Sequence, residues 1–158
     1  MRRLHAILIS SLAALVALVF AATAVAVSPH YISAASGLSG SSLTANFKIA
    51  GLGDNQTITV TLTADATAQY ACFNGGGNHP KATNKETVAG PVSATGDFTS
   101  GKNGNVVGSL TTPAPGPGDF SCPNGQRLVL TFVQYTNVQL TSVAGTVDLA
   151  DQTFGAPI

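Results

Sequence analysis

Aromatic and charged residues are scarce in this sequence. Among 158 residues there is no tryptophan and one methionine, aromatic residues make up 6%, and charged residues make up only 9%. The chain therefore lacks the exposed aromatic platforms on which sugars and nucleobases usually stack. Glu86 is the only glutamate, which argues against the paired carboxylates of a glycoside hydrolase.

The first part of the chain has the pattern of an export signal. Arg2 and Arg3 precede an apolar run from Ala6 to Val27, and Ala24-Val25-Ala26 is a small-x-small cleavage site. These features predict a secretory signal peptide over residues 1–26. The alternative is an uncleaved membrane anchor, because ~20 apolar residues are enough to span a bilayer.

The rest of the chain is close to neutral. It contains five lysines and arginines against seven aspartates and glutamates, a formal net charge of 5 − 7 = −2. No basic patch remains to bind a phosphate backbone, so nucleic acid is not an expected partner. We expect a secreted, extracellular or cell-surface protein with an extracellular or cell-wall partner, and membrane contact only if the N-terminal segment is retained.

The two cysteines, Cys72 and Cys122, form an even pair in a chain with an export signal. This combination predicts a disulfide bond. Closing a loop of about fifty residues would stabilise the fold by about 4 kcal/mol. A redox or nucleophilic cysteine would need a nearby partner such as a second cysteine at C-x-x-C spacing, and the sequence has none.

Alternation of apolar and polar residues begins at Leu43 and predicts strands. Residues 27–42, rich in Ser, Ala and Gly, are predicted to be a flexible lead-in, and residues 43–158 a single domain. Thr57, Thr59, Thr61 and Thr63 alternate with apolar residues, a pattern typical of a strand with one solvated face. The run from Leu128 to Val133 is apolar on both faces and predicts a central, doubly buried strand.

Glycine, proline, asparagine and aspartate separate many short strands, and no helical period persists over three turns. Asn103-Gly104 is the strongest hairpin signal, whereas Thr112–Gly118 contains three prolines and must cross over as a loop. The fold class predicted is all-β: an antiparallel, immunoglobulin-like β-sandwich of about seven to nine strands with one disulfide. A β-barrel is the second choice.

One glycine-rich loop is the candidate functional loop. Its residues are Asn74, Gly75, Gly76, Gly77, Asn78 and His79. The glycines allow the chain to reverse direction, and Pro80 stiffens the exit. His79 is the only histidine in the predicted domain, and it is the one residue here that a purely structural role does not require. A hydrolase centred on His79 is therefore a remaining hypothesis, although no nucleophile elbow is present.

Other possible sites are weaker. The segment Gly96–Asn103 satisfies G-x-x-x-x-G-K, but it has Asn103 where a phosphate-binding loop needs Ser or Thr. Calcium binding by Asp54 and Asn55 is conceivable, but such residues more often make turns. One histidine and a bonded cysteine pair leave too few ligands for zinc. We expect no cofactor, no resident metal and no nucleotide.

Several motifs together resemble those of known proteins: Ala71–Asn78, Gly90–Gly96, Ser100–Gly104, Ser121–Gln126, Leu128–Leu130 and Tyr135–Val138. With them the chain resembles small secreted proteins of Gram-positive, especially actinobacterial, bacteria. That resemblance implies export and a bacterial source, and it implies no mechanism. In composition the chain is also similar to the apoproteins of the neocarzinostatin family, which are secreted immunoglobulin-like sandwiches with two disulfides.

The expected function is that of a secreted, non-enzymatic surface, matrix or interaction module. The alternative is a carrier that binds a small ligand or a carbohydrate in a cleft at one end of the sandwich. A concave pocket lined by Tyr or Phe would favour the carrier.

Overall fold

The computed structural model describes residues 28–76 and 84–158, and almost all of their regular structure is β-strand. The strands are β1 (His30–Ser39), β2 (Ser42–Ala50), β3 (Thr57–Asn74), β4 (Lys85–Thr99), β5 (Val106–Thr112), β6 (Gln126–Ser142), β7 (Gly145–Asp148) and β8 (Gln152–Gly155). Within these ranges no helix is long and apolar enough to cross a membrane. The predicted signal segment, 1–26, lies outside the described residues.

The strands form two antiparallel sheets. The smaller sheet has the order β1-β2-β5, and the larger has the order β4-β3-β6-β7 with β8 also paired to β6. The predicted antiparallel β-sandwich with one disulfide is confirmed, the eight strands fall in the expected range, and the sheets do not close into a barrel.

The core lies between the inner faces of the two sheets. Alternate residues of β3 from Ile58 to Ala68 face alternate residues of β2, including Phe47, and side chains of β5 and β6 complete the cluster. The rings of Phe47 and Phe98 meet edge to face, with centroids 5.0 Å apart. Gly108 lies beside them, and a Cβ there would come within 2.6 Å of both rings. The core therefore requires glycine at this position.

The larger sheet extends past the smaller one at the Cys72 end. Strands β3, β4 and β6 have 18, 15 and 17 residues, against 10, 9 and 7 in the smaller sheet. The proline-rich crossover between β5 and β6 contacts the inner face of this extension. The Tyr70 hydroxyl donates to the Pro115 carbonyl at 2.7 Å, and Cys72 is bonded to Cys122. The disulfide thus fixes the crossover to the part of the sheet that the smaller sheet does not cover.

Two bulges interrupt the pairing of β6 with β3. At the first bulge, Thr131 of β6 has no cross-strand partner, because Gln69 pairs with Phe132 and Tyr70 pairs with Leu130. At the second, Asn137 and Val138 together oppose Ala64 alone. Asn137 has a φ of 52°, an uncommon conformation that asparagine adopts more readily than most residues. The second bulge turns the Asn137 side chain toward the outer face of the larger sheet.

Two sequence predictions about strand boundaries are wrong. Residues 27–42, predicted to be a flexible lead-in, instead supply β1, which pairs with β2 from His30 to Ser39. Tyr31, Ala34 and Leu38 pack against the core, but a bulge between Tyr31 and Ser33 shifts the alternation by one residue and leaves Ile32 exposed. The strand from Leu128 to Val133 is central but not doubly buried, because Val129 and Phe132 on the outer face of the larger sheet are only half-buried.

The Asn103-Gly104 turn is not a hairpin. It joins β4 to β5, which belong to different sheets. Gly104 has a φ of 70°, and its carbonyl accepts a hydrogen bond from the Leu52 amide at 3.1 Å. The turn therefore packs against the β2–β3 loop and carries the chain from one sheet to the other.

Candidate functional site

From Thr57 to Asp65 of β3 and across the strands paired with this stretch, the outer face of the larger sheet is built almost entirely from hydroxyl, amide and carboxylate side chains. This polar character follows from alternation, because each apolar side chain that points into the core leaves the side chain of its neighbour on the outer face. We call it the threonine face, and its members are Thr57, Thr59, Thr61, Thr63, Asp65, Ser93, Thr95, Asp97, Thr99, Asn137, Gln139, Thr141, Thr146 and Asp148.

The register aligns these side chains in rows across the strands. One row is made of four threonines from four neighbouring strands: Thr95, Thr61, Thr141 and Thr146. Within it, the Thr61 and Thr95 hydroxyls are 3.1 Å apart, and the Thr141 and Thr146 hydroxyls are 3.0 Å apart. The Thr57 and Thr99 hydroxyls pair in the same way at 2.9 Å. Neighbouring hydroxyls thus hold one another in position before any ligand arrives.

A shallow depression of about 340 Å³ lies at one end of this face, over the Asn137 bulge. It is lined by Thr63, Ala64, Asp65, Pro91, Val92, Ser93, Asn137 and Gln139. Asn137 Nδ2 donates to Asp65 Oδ2 at 2.8 Å, and Gln139 Nε2 donates to Asp148 Oδ1 at 2.7 Å. Carboxylate, amide and hydroxyl groups therefore converge on one concave site, beside the apolar ring of Pro91.

The threonine face carries negative charge and no positive charge. Its charged members are Asp65, Asp97 and Asp148, and no lysine or arginine is among the residues that define it. Each carboxylate accepts a hydrogen bond from a neutral side chain: Asn137 for Asp65, Thr59 for Asp97, and Gln139 for Asp148. The face thus suits a neutral ligand better than an anionic one.

The predicted glycine-rich loop begins where β3 ends, at the end of the larger sheet farthest from Thr57. Asn74, Gly75 and Gly76 are described and exposed, whereas Gly77, Asn78 and His79 lie outside the described residues. A second pocket, of about 450 Å³, is located here at the ends of β3 and β6. We call it the end pocket, and it is lined by Phe73, Asn74, Gly75, Gly125, Gln126 and Arg127.

The disulfide lies beside the end pocket and has a structural role. Cys72 and Cys122 are bonded as predicted, and Cys72 is buried. The neighbouring residue on β3, Phe73, points to the opposite side of the sheet and lines the pocket. The bond therefore supports the strand from which Phe73 reaches the pocket.

The remaining sequence motifs lie in turns and strands. The G-x-x-x-x-G-K segment runs from β4 into a turn, so it lacks the strand-to-helix geometry that a phosphate-binding loop requires. Asp54 and Asn55 occupy a turn that the Ser100 hydroxyl secures by donating to the Gly53 carbonyl at 2.7 Å. Residues 28–76 and 84–158 contain no group of three or more His, Cys, Asp or Glu that could hold a metal ion.

Sequence reasoning identified only part of the threonine face. The ladder from Thr57 to Thr63 was visible as alternation within one strand. The depression was not, because it depends on Asp65 meeting Asn137 from a strand 72 positions away. The only local signal in the sequence is that Asp65 takes the next position of the series in which Thr57 to Thr63 alternate with apolar residues.

No protein-family model, no curated protein and no solved structure is significantly similar to this chain.

Proposed function

We propose that the protein is an exported, non-enzymatic module that binds a neutral, hydroxyl-rich extracellular surface, namely a polysaccharide, through the threonine face. The observation that carries this proposal is the row of Thr95, Thr61, Thr141 and Thr146, which continues into the polar depression at Asp65 and Asn137.

The chemistry of the face matches that of a polyol. A threonine hydroxyl both donates and accepts, a carboxylate accepts from two directions, and a side-chain amide does both. Sugars present the same mixture of donors and acceptors. The hydroxyl pairs repeat at roughly 4.8 Å across strands and roughly 6.7 Å along them, so an extended chain of sugars can meet several pairs in succession.

Charge favours a neutral polymer over an anionic one. An anionic polymer such as a nucleic acid or a polyphosphate would meet Asp65, Asp97 and Asp148 without a compensating cation on the face. A neutral polysaccharide meets no such repulsion. Each carboxylate already accepts a hydrogen bond from a neutral side chain and has further lone pairs with which to accept from sugar hydroxyls.

The absence of aromatic members on the threonine face sets the expected strength. Each sugar contact lacks a stacking partner, apart from the Pro91 ring, so single oligosaccharides should bind weakly. Affinity for a surface comes instead from many simultaneous contacts. This is the behaviour of a matrix or surface module, and not that of a high-affinity carrier.

Nuclear magnetic resonance titration tests the location of binding. ¹⁵N-labelled protein is titrated with soluble cello-, chito- and malto-oligosaccharides. We expect one of these series to shift amide signals on β3, β4 and β6 near Thr61 and Asp65. Shifts confined to the outer face of the smaller sheet, around Thr44 and Thr111, would contradict the proposal.

A further inference from the structure

The end pocket is a second, chemically different site. We infer that it binds a small organic anion that carries a flat apolar ring, such as an aromatic carboxylate or sulfonate. This inference goes beyond the proposed function and does not depend on it, because the end pocket and the threonine face share no residue.

The pocket combines a cation with an aromatic ring. Phe73 and Arg127 are direct cross-strand partners on the same face of the sheet, so their side chains start about 5 Å apart. Among the described residues that line the pocket, Arg127 is the only charged one. A guanidinium group binds a carboxylate or sulfonate with two parallel hydrogen bonds, while a neighbouring aromatic ring offers an apolar surface to a flat ligand.

The surroundings strengthen both parts of this site. In the next rows of the sheet, Lys85 faces Ala71, and Ala71 faces Val129. Ala71 is completely buried although it lies on the outer side of the sheet, and its partner Lys85 adds a second cation near the site. The carboxylate of Asp65 is eight residues from Phe73 along β3, roughly 26 Å away. Since charges are screened beyond about 8 Å at physiological salt, the acidic threonine face does not oppose an anion here.

Polar groups at the rim would fix the orientation of the ligand. Asn74 and Gln126 are cross-strand partners that both line the pocket. Asn84 donates to the side-chain oxygen of Gln126 at 3.4 Å, which orients that amide. A concave site that combines one aromatic ring with three polar side chains, within the ~300–1,000 Å³ range of ligand pockets, is thus present at one end of the sandwich.

Glycine leaves the pocket open. A Cβ built on Gly75 meets nothing within 4 Å, and Gly75 does not have a positive φ. A larger side chain at this position can therefore be accommodated by the backbone and would project into open space. Because Gly75 lies in the pocket wall, Gly75→Leu adds a large apolar side chain beside a bound ligand and should hinder its binding without straining the fold.

Fluorescence titration with two probes tests the inference on the full secreted chain. 1-Anilinonaphthalene-8-sulfonate is an aromatic anion, and N-phenyl-1-naphthylamine is its neutral counterpart. We expect saturable binding of the anionic probe at one site, weakened about tenfold or more by Arg127→Gln, with little change for the neutral probe. Gly75→Leu should weaken binding of both probes.

Matched controls separate this site from nonspecific apolar binding. Lys102→Gln removes a cation from an exposed turn, and Gly90→Leu adds a side chain where a Cβ also meets nothing within 4 Å. Both controls should bind like the wild type. Unchanged binding of the anionic probe in Arg127→Gln, or an equal loss in Lys102→Gln, would overturn the inference.

Arg127 is exposed, so its variant should fold even if Gly75→Leu does not. Polysaccharide binding should be unaffected by Arg127→Gln, so failure of either proposal is recognised independently.

Discussion

Asn137 donates a hydrogen bond from its side-chain amide to the carboxylate of Asp65 at 2.8 Å, across the bulge where β6 pairs with β3. The two residues are far apart in sequence, and the contact exists only because Asn137 and Val138 together oppose one residue of β3. Bulges commonly re-aim a side chain in this way. Here the bulge places an amide and a carboxylate side by side at the edge of the depression.

Substitution of Asn137 should distinguish backbone strain from the loss of this hydrogen bond. Asn137→Ala loses the bond and keeps a Cβ at a φ of 52°, so it should destabilise the fold by about 1–2 kcal/mol. Asn137→Gly loses the same bond but relaxes the backbone, and it should be clearly more stable than the alanine variant. Urea denaturation measures both. Equal stabilities would show that the conformation at residue 137 carries no strain.

Removal of the disulfide should cost stability without loss of the sandwich. The bond closes a sequence separation of 50 residues, so Cys72→Ala with Cys122→Ala should lower the free energy of unfolding by about 4 kcal/mol. The core cluster between the sheets contains neither cysteine, and the double variant should keep its circular dichroism spectrum at low temperature. Mass spectrometry of the unreduced wild-type chain should give a mass two hydrogens below that of the dithiol. Detection of two free thiols would refute the bond.

Stability should fall at alkaline pH because of two tyrosines, the buried Tyr135 and the half-buried Tyr70. Burial raises the pKa of Tyr70 and of Tyr135 above the ordinary value of 10.0, although a hydrogen bond from the Leu43 backbone lowers that of Tyr135 in part. In the unfolded chain these hydroxyls lose their protons near pH 10.0, whereas in the folded chain they keep them to higher pH. The stability that the two tyrosines contribute to the free energy of unfolding is therefore complete below pH 10.0, and it is lost as pH rises through their folded-state pKa.

Tyr135→Phe is the matched variant for this pH dependence. It also removes the hydrogen bond from the tyrosine hydroxyl to the Ser41 carbonyl at 2.7 Å, so it should be less stable at neutral pH by about 1 kcal/mol. Above pH 10 its stability should decline less steeply than that of the wild type. Parallel curves for the two proteins in urea titrations between pH 8 and pH 12 would contradict the assignment.

Gly108 should be the glycine least tolerant of substitution in the core. In Gly108→Ala the new Cβ would lie within 2.6 Å of the Phe47 and Phe98 rings, and overpacking of this kind costs about 1–3 kcal/mol. Gly90→Ala is the control, because its Cβ meets nothing within 4 Å. We expect thermal denaturation to show a clear loss for the first variant and almost none for the second. Similar melting temperatures would mean that the rings move apart easily.

The sequence was sufficient to predict the features that depend on local alternation. The threonines from Thr57 to Thr63 identified a strand with one solvated face, and the cysteine pair identified the disulfide. The strand β1 was missed because a bulge between Tyr31 and Ser33 breaks its alternation, and the Ser, Ala and Gly residues that follow carry little hydrophobic contrast. These residues form a strand because β2 offers them a partner along its whole length, and propensity is weaker than such tertiary pairing.

Features that depend on long-range register were not predictable. The Asn103-Gly104 turn has the composition of a hairpin, yet it connects two sheets. It packs against the β2–β3 loop, where the Leu52 amide donates to the Gly104 carbonyl. In the same way, nothing near Asp65 in sequence indicates Asn137, and nothing near Phe73 indicates Arg127. Both candidate sites are formed by pairing between β3 and β6, whose register can be read only once the sheet is assembled.

The most direct test of the central claim is a depletion isotherm on insoluble neutral polysaccharides, including cellulose, chitin and α-glucan. The test variant is Thr61→Val with Thr95→Val, a cross-strand pair on the threonine face; the control is Thr44→Val with Thr111→Val, the equivalent kind of pair on the outer face of the smaller sheet. Both variants replace one half-buried and one exposed threonine, so they change surface polarity equally.

We predict that the wild type and the control are depleted from solution by the same polysaccharide, whereas the Thr61/Thr95 variant remains in solution. Equal depletion of all three proteins, or no depletion of the wild type by any of the polysaccharides, would contradict the assignment of the threonine face as the binding surface.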